Sequence, residues 1–180
     1  MSTKMIQPLF TKDLGANEFA EYFQRYLDKV GDVDVMQLLH TQSDELHEIF
    51  DTVENSEAEK LHEPYTWTLK QVLGHVIDVE KVFGERAHRI AFGKDQSLPG
   101  FDHNQFVNDA DFSQVSVSDL AKEFDVLRQS NCLMMERLTA EMWERTGLCD
   151  DKSISTRAIA CLLAGHFIHH VDIAKSRLGK

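Results

Sequence analysis

The chain has 180 residues, 42% hydrophobic and 27% charged, with a net charge of −11. That length and composition suit one globular core, and the reading is a single domain over 1–180. So acidic a chain repels phosphate, and no cluster of Lys and Arg is dense enough to reverse this; DNA, RNA and anionic membranes are not expected partners.

Helical periodicity dominates, and no segment alternates strictly enough to predict a strand. An opening helix is expected over Asn17 to Val30, with Phe19, Tyr22, Phe23, Tyr26 and Leu27 on one side, broken at Gly31-Asp32. The first long helix runs from about Asp34 to Val53, with Met36, Leu39, Leu46, Ile49, Phe50 and Val53 at three- and four-residue steps. ENSEAEKLHEP then reads as a loop. The second long helix starts near Thr68, with Thr66 or Thr68 as its cap, and stops at about Phe92 before Gly93. Residues 94–115, with Pro99-Gly100, form the longest link, with room for one short helical turn. The third long helix follows Ser116 or Ser118 and reaches about Trp143, burying Phe124, Leu127, Leu133, Met134 and Leu138. Thr146 to Ser153 is expected to be a loop, and the fourth long helix covers Ser155 to Leu178. The fold class is all-α, a four-helix bundle with an additional N-terminal helix.

Cys132, Cys149 and Cys161 are odd in number, irregularly spaced and without a CxxC pair, which argues against a disulfide framework and a thiolate zinc site. MSTKMIQPLFTKDLG has no apolar core of a secretory leader, and no run approaches about 18 apolar residues. A reduced, cytoplasmic protein is expected.

The chemistry concentrates in the last helix, which contains GHFIHHVDI. At 100° per residue, His166 and His170 lie about 40° apart, one turn from each other, on the face that carries Ile159, Leu162, Leu163, Ile173 and Ala174. His169 sits roughly 60° to the other side of His166. Two imidazoles buried in successive turns need partners, and protonating both sets like charges side by side. A divalent cation takes a lone pair from each neutral ring. The alternatives are a histidine-rich surface helix, or two core histidines satisfied by hydrogen bonds. His75 flanks the apolar stripe of the second helix, roughly 80° from its centre, and is the best-placed third ligand. Its alternative is a boundary histidine bonded to a backbone carbonyl. His40, His47, His62 and His88 read as solvated, and His103 as a loop residue able to overhang the site.

WTLKQVLGHVIDVEKVFGERAHRIAFG, LPGFDHNQFV and AGHFIHHVDI, in this order over nearly the whole chain, resemble the DinB/YfiT-like family of metalloenzymes. The resemblance implies an up-down-down-up bundle and a three-histidine metal site whose ligands fall on His75, His166 and His170. His169 is the extra histidine of the HxxHH motif and not a ligand. Many relatives carry Asp-x-Glu-Arg after the first ligand; here it reads Asp78-Val79-Glu80-Lys81, and Lys lacks the planar bidentate donor of Arg. The name implies no polymerase and no DNA binding.

Three imidazoles leave positions open on an ion, as in catalytic sites. The ligand set does not choose among zinc, nickel, manganese and iron. Family activities include low-molecular-weight-thiol S-transferases and a thiol-dependent maleylpyruvate isomerase, so the implied partners are a small thiol and an electrophile. Asp78, one turn beyond His75, is a candidate to orient a ligand or act as base, against the alternative of a solvated helix carboxylate. Glu80 is expected in a polar pair. A metal-dependent hydrolase and a non-catalytic, stress-related metal binder are the competing readings. Relatives of this kind often pair, and the aromatic opening helix can cover either a second copy or its own bundle.

Overall fold

The computed structural model describes residues 8–93 and 96–180. Its frame is four long helices, α2 (Val35–Phe50), α4 (Leu69–Phe92), α6 (Val117–Met135) and α8 (Thr156–Leu178). Each begins at a side chain that takes up free N–H groups of the first turn. Asp34 accepts from Met36 N–H, Ser116 from Asp119 and Ser155 from Ala158. Thr68 makes a reciprocal box with Gln71. Gly93 caps α4 in an extended conformation.

The helices pack in the cyclic order α2, α6, α4, α8. Side-chain ties give their directions. Along α2 and α8, Gln42 reaches the Ala164 carbonyl, Glu45 meets Lys175, and Lys180 reaches the Ile49 carbonyl, so both numbers rise together. Lys81 meets Glu123 and, farther along both helices, Gly84 lies against Asn131, so the numbers of α4 and α6 also rise together. Across the other two contacts the numbering runs oppositely: His40 pairs with Glu136 and His47 with Asp125, while Trp67 meets Arg177 and His75 meets His166. The bundle is therefore up-down-down-up, and its consecutive parallel neighbours, α4 and α6, require the long link between them.

The centre of the bundle is polar. Arg128, 2% exposed, donates through Nε to Glu80 Oε1 at 3.0 Å, and through Nη1 to Gln42 Oε1. Gln42 Nε2 donates to the Ala164 carbonyl at 3.0 Å, and Asn131 Nδ2 to Glu80 Oε2 at 2.8 Å. The guanidinium also lies 4.9 Å from the Phe124 ring centre. One charge pair thus ties all four helices, and a buried pair is tolerable only when its remaining donors and acceptors are filled in this way. Glu80 is the paired residue that was expected, but its partner is Arg128. Lys81 turns outward to Glu123 at 2.7 Å.

Several elements differ from expectation. The opening helix shrinks to a 3-10 turn, Glu21–Phe23, and α1 (Gln24–Leu27). Residues before it are held elsewhere: the Glu18 carbonyl accepts from Ser155 N–H, and its carboxylate takes Arg157 Nε at 2.6 Å and the Ser155 hydroxyl at 2.7 Å. Burial pushes the Glu18 carboxyl up, but Arg157, Gly15 N–H and Ser155 outweigh it and hold its pKa near 2. The segment still breaks at Gly31, at φ 73°.

Two of the expected loops, 94–115 and 146–153, contain strands. β1 (Ser97–Leu98) pairs in parallel with β2 (Thr146–Cys149), which pairs antiparallel with β3 (Lys152–Ser155). The β2–β3 turn is Asp150-Asp151, both left-handed, a conformation Asp tolerates. Strands of two and four residues are too short to show alternation. α3 (Asn55–Ala58) interrupts the expected ENSEAEKLHEP loop, and α5 (His103–Asp109) is the short helix for which the 94–115 link had room. The third long helix stops at Met135, and Thr139 caps a separate α7 (Ala140–Glu144). Leu133, expected inside, is 60% exposed. The buried stripe of α6 runs through Leu120, Phe124, Arg128 and Cys132, so a search for apolar residues alone misplaces the face. Among the described residues no helix is long and apolar enough to cross a membrane.

Candidate metal centre

His75, His166 and His170 meet between α4 and α8. All three are buried, and one ring nitrogen of each lies within 4.8 Å of those of the other two. The His75–His166 and His75–His170 ring centres are 4.9 and 4.8 Å apart. Antiparallel packing brings His75, early in α4, level with the middle of α8. Gly165 lets the opening segment close over the site: a Cβ there would stand 2.2 Å from the Tyr26 carbonyl oxygen. The Tyr26 ring covers His166 at 5.4 Å, and Trp67 covers His75 at 5.0 Å.

Electrostatics keep the trio neutral. Burial lowers the His75 pKa to about 4, helped by the nearby His103 and His169. Burial, then His75, His169, Arg177 and Arg25, lowers that of His170 to about 2. Burial and the neighbouring imidazoles, with Arg128, push His166 well below its ordinary value. All three present lone pairs at neutral pH.

Among the described residues the trio is only partly satisfied. His75 Nδ1 and His170 Nδ1 are buried without a hydrogen-bond partner, and the Nε2 atoms of His75 and His166 face each other at 3.0 Å. Among the described residues no backbone carbonyl bonds His75 as a boundary histidine would require. Three neutral imidazoles with underused nitrogens fit a divalent cation.

The trio opens on a cavity of about 530 Å³, a size that takes a small molecule. His169, half-buried, stands at its edge with its ring 5.3 Å from Tyr26. His103 is exposed at the start of α5, with its ring 5.6 Å from that of His75. Asp78 does not line the cavity. Its carboxylate faces Lys81, at 3.9 Å, with Glu123 nearby, and burial raises its pKa. Of the histidines read as solvated, His47 is instead clamped between Asp51 and Asp125, each at 2.8 Å. His62 is only partly exposed, 3.3 Å from Glu57.

Sequence reasoning missed Trp67, Tyr26 and Arg86 as cavity walls. For Arg86 a signal existed. It lies eleven residues after His75, about 20° from it on the helical wheel, with Val79 and Phe83 between them on the same face.

Residues 38–174 match the sequence pattern of the DinB superfamily. The chain belongs to the DinB superfamily. No curated protein matches it at the sequence level. Among solved structures, this DinB-superfamily chain is similar to YfiT from Bacillus subtilis, described as a "probable metal-dependent hydrolase with an unusual four-helix bundle topology". The TM-score is 0.71 at 15% identity, over 92% of this chain and 93% of that one. It is also similar to a mycothiol-dependent maleylpyruvate isomerase, with a TM-score of 0.65 at 13% identity, over 91% of this chain but 62% of that one. At such identities the likeness establishes the shared fold.

Proposed function

We propose that this DinB-superfamily chain is a metal-dependent enzyme in which His75, His166 and His170 hold a divalent ion, and that it transfers a low-molecular-weight thiol to a small electrophile. The observation that carries this reading is the trio's position: three neutral, underused imidazoles on the wall of a roomy cavity. An ion bound there lowers the pKa of a thiol or water that joins it and polarises a carbonyl.

The chain's own groups favour an external thiol as nucleophile. Burial raises the pKa of all three cysteines, to about 11 for Cys132 and about 12 for Cys161, so none is an activated thiolate. Among the described residues the only carboxylate lining the cavity is Asp150, on the exposed β2–β3 turn. Among the described lining residues no carboxylate stands near the trio to serve as general base for hydrolysis, and His103 and His169 are the titratable side chains that border it. Thiolate attack needs no such base once the proton is lost. Trp67, Tyr26 and Phe83 supply apolar walls that hold an electrophile and thin out water. A site that only sequestered metal would have no use for this volume. The acidic surface argues against nucleic acid, and the free, buried cysteines suit a reducing cytoplasm.

The reading is tested with purified protein stripped of metal and reloaded separately with zinc, nickel, manganese or iron. Glutathione and cysteine serve as thiols, with monochlorobimane and 1-chloro-2,4-dinitrobenzene as electrophiles. At least one metal should accelerate conjugation more than about tenfold, and His166→Ala should abolish the gain. Absence of acceleration with every combination, or a gain that persists in His166→Ala, overturns it.

A further inference from the structure

Among the described residues two arginines are buried, Arg128 at 2% exposure and Arg86 at 6%. Arg128 is neutralised by Glu80. Arg86 lines the cavity with no carboxylate partner among the described residues. One Nη donates to the Pro99 carbonyl at 2.7 Å, and the guanidinium carbon lies 5.1 and 5.4 Å from the ring centres of Phe83 and Phe101. A carbonyl and two rings orient the guanidinium but do not cancel its charge. A charge held in such surroundings is costly unless an anion meets it.

We infer that Arg86 is the receptor for a carboxylate on the molecule that occupies the cavity, at the end remote from the histidines. The planar guanidinium, fixed on one side by Pro99, keeps donors for a bidentate acid. His75 and Arg86 are about three turns apart on one face of α4, ~16 Å along the axis. An arginine side chain leans toward its helix N-terminus, which shortens the span between functional groups to roughly 10–15 Å. Val79 and Phe83 of α4 and Leu162 of α8 give the stretch between them an apolar lining. The ligand class is an elongated monoacid with an apolar middle and its reactive group at the far end. Lys152 lines the same cavity but pairs with Asp150 at 3.6 Å and is mostly exposed, so it adds a diffuse field and no fixed contact. The histidine end of this assignment rests on the metal reading; the Arg86 end does not.

Calorimetric titration separates the two. Metal-free protein is titrated with octanoate and with 1-octanol, then zinc-loaded protein with 8-mercaptooctanoate and 8-mercapto-1-octanol. Without metal, octanoate should bind at least about tenfold more tightly than octanol. Arg86→Gln should erase that preference while octanol binding persists, and Arg86→Lys should retain part of it. With zinc, the mercaptoacid should gain further over octanoate, and His166→Ala should remove that gain alone. A carboxylate preference with no zinc-dependent gain sinks the metal reading and leaves Arg86 standing. Equal binding of octanoate and octanol, or a preference unchanged in Arg86→Gln, overturns the Arg86 assignment.

Discussion

The sharpest residue-level contrast is between the buried charge that is paired and the histidines that are not. Arg128, Glu80, Gln42 and Asn131 fill one another's hydrogen-bonding capacity and knit four helices. Removing one member strands the other. Arg128→Met should cost about 3–5 kcal/mol in urea denaturation, and adding Glu80→Leu should recover part of the loss, because no buried carboxylate then remains alone. A double variant no more stable than Arg128→Met would show that the pair acts through something other than charge. The histidine trio has the opposite character, with the buried Nδ1 atoms of His75 and His170 unsatisfied among the described residues. His166 and His170 were readable because they share one helix and their spacing alone aligns them. His75 could only be nominated, since its approach depends on two antiparallel helices meeting at the right height. The same limit hid the Arg128 partner of Glu80, which lies 48 residues away.

At the scale of elements, caps and periodicity were the legible features. Thr68, Ser116 and Ser155 start the helices they were expected to start, within the alternatives considered. What failed was whatever tertiary contact decides. The opening segment has a helical pattern, yet Glu18 is drawn off to Ser155 and Arg157, and only a short turn survives. The β-hairpin is too brief to announce itself and depends on two aspartates at positive φ. His47, part of an unremarkable polar face in the sequence, ties α2 to Asp125 of α6. Asp125 and then Asp51 raise its pKa above the ordinary 6.5. A raised folded-state pKa means that this stabilisation is fully present below about pH 6.5 and fades as pH rises through the higher value. His47→Gln should therefore lower the melting temperature more at pH 6 than at pH 9. An equal drop at both would show that packing, and not the proton, carries the contact. The tie is partly exposed, so the effect should be small.

Over the whole molecule, the up-down-down-up path explains why the site exists where it does. The parallel neighbours α4 and α6 need a long link, which delivers Phe101 and His103 to the cavity, while the link from α2 across to α4 delivers Trp67. The opening segment closes another side, pressed against the backbone of α8 at Gly165. A chain of net charge −11 thus encloses a pocket lined by Arg25, Arg86 and Lys152 with a single carboxylate among the described lining residues. Such an inversion of local against global charge draws in small anions and does nothing for polyanions. The overall charge was legible from composition; its reversal inside the cavity was not, because Arg25, Arg86 and Lys152 come from three separate stretches of chain. The proposed chemistry depends most on the three imidazoles sharing one cation. Elemental analysis by mass spectrometry of protein purified without added metal, beside His75→Ala and His166→Ala variants shown to be folded by circular dichroism, tests that directly. About one divalent ion per chain in the parent, and a loss of at least tenfold in either variant, is the expected result. Metal content unchanged by removing either histidine would contradict it.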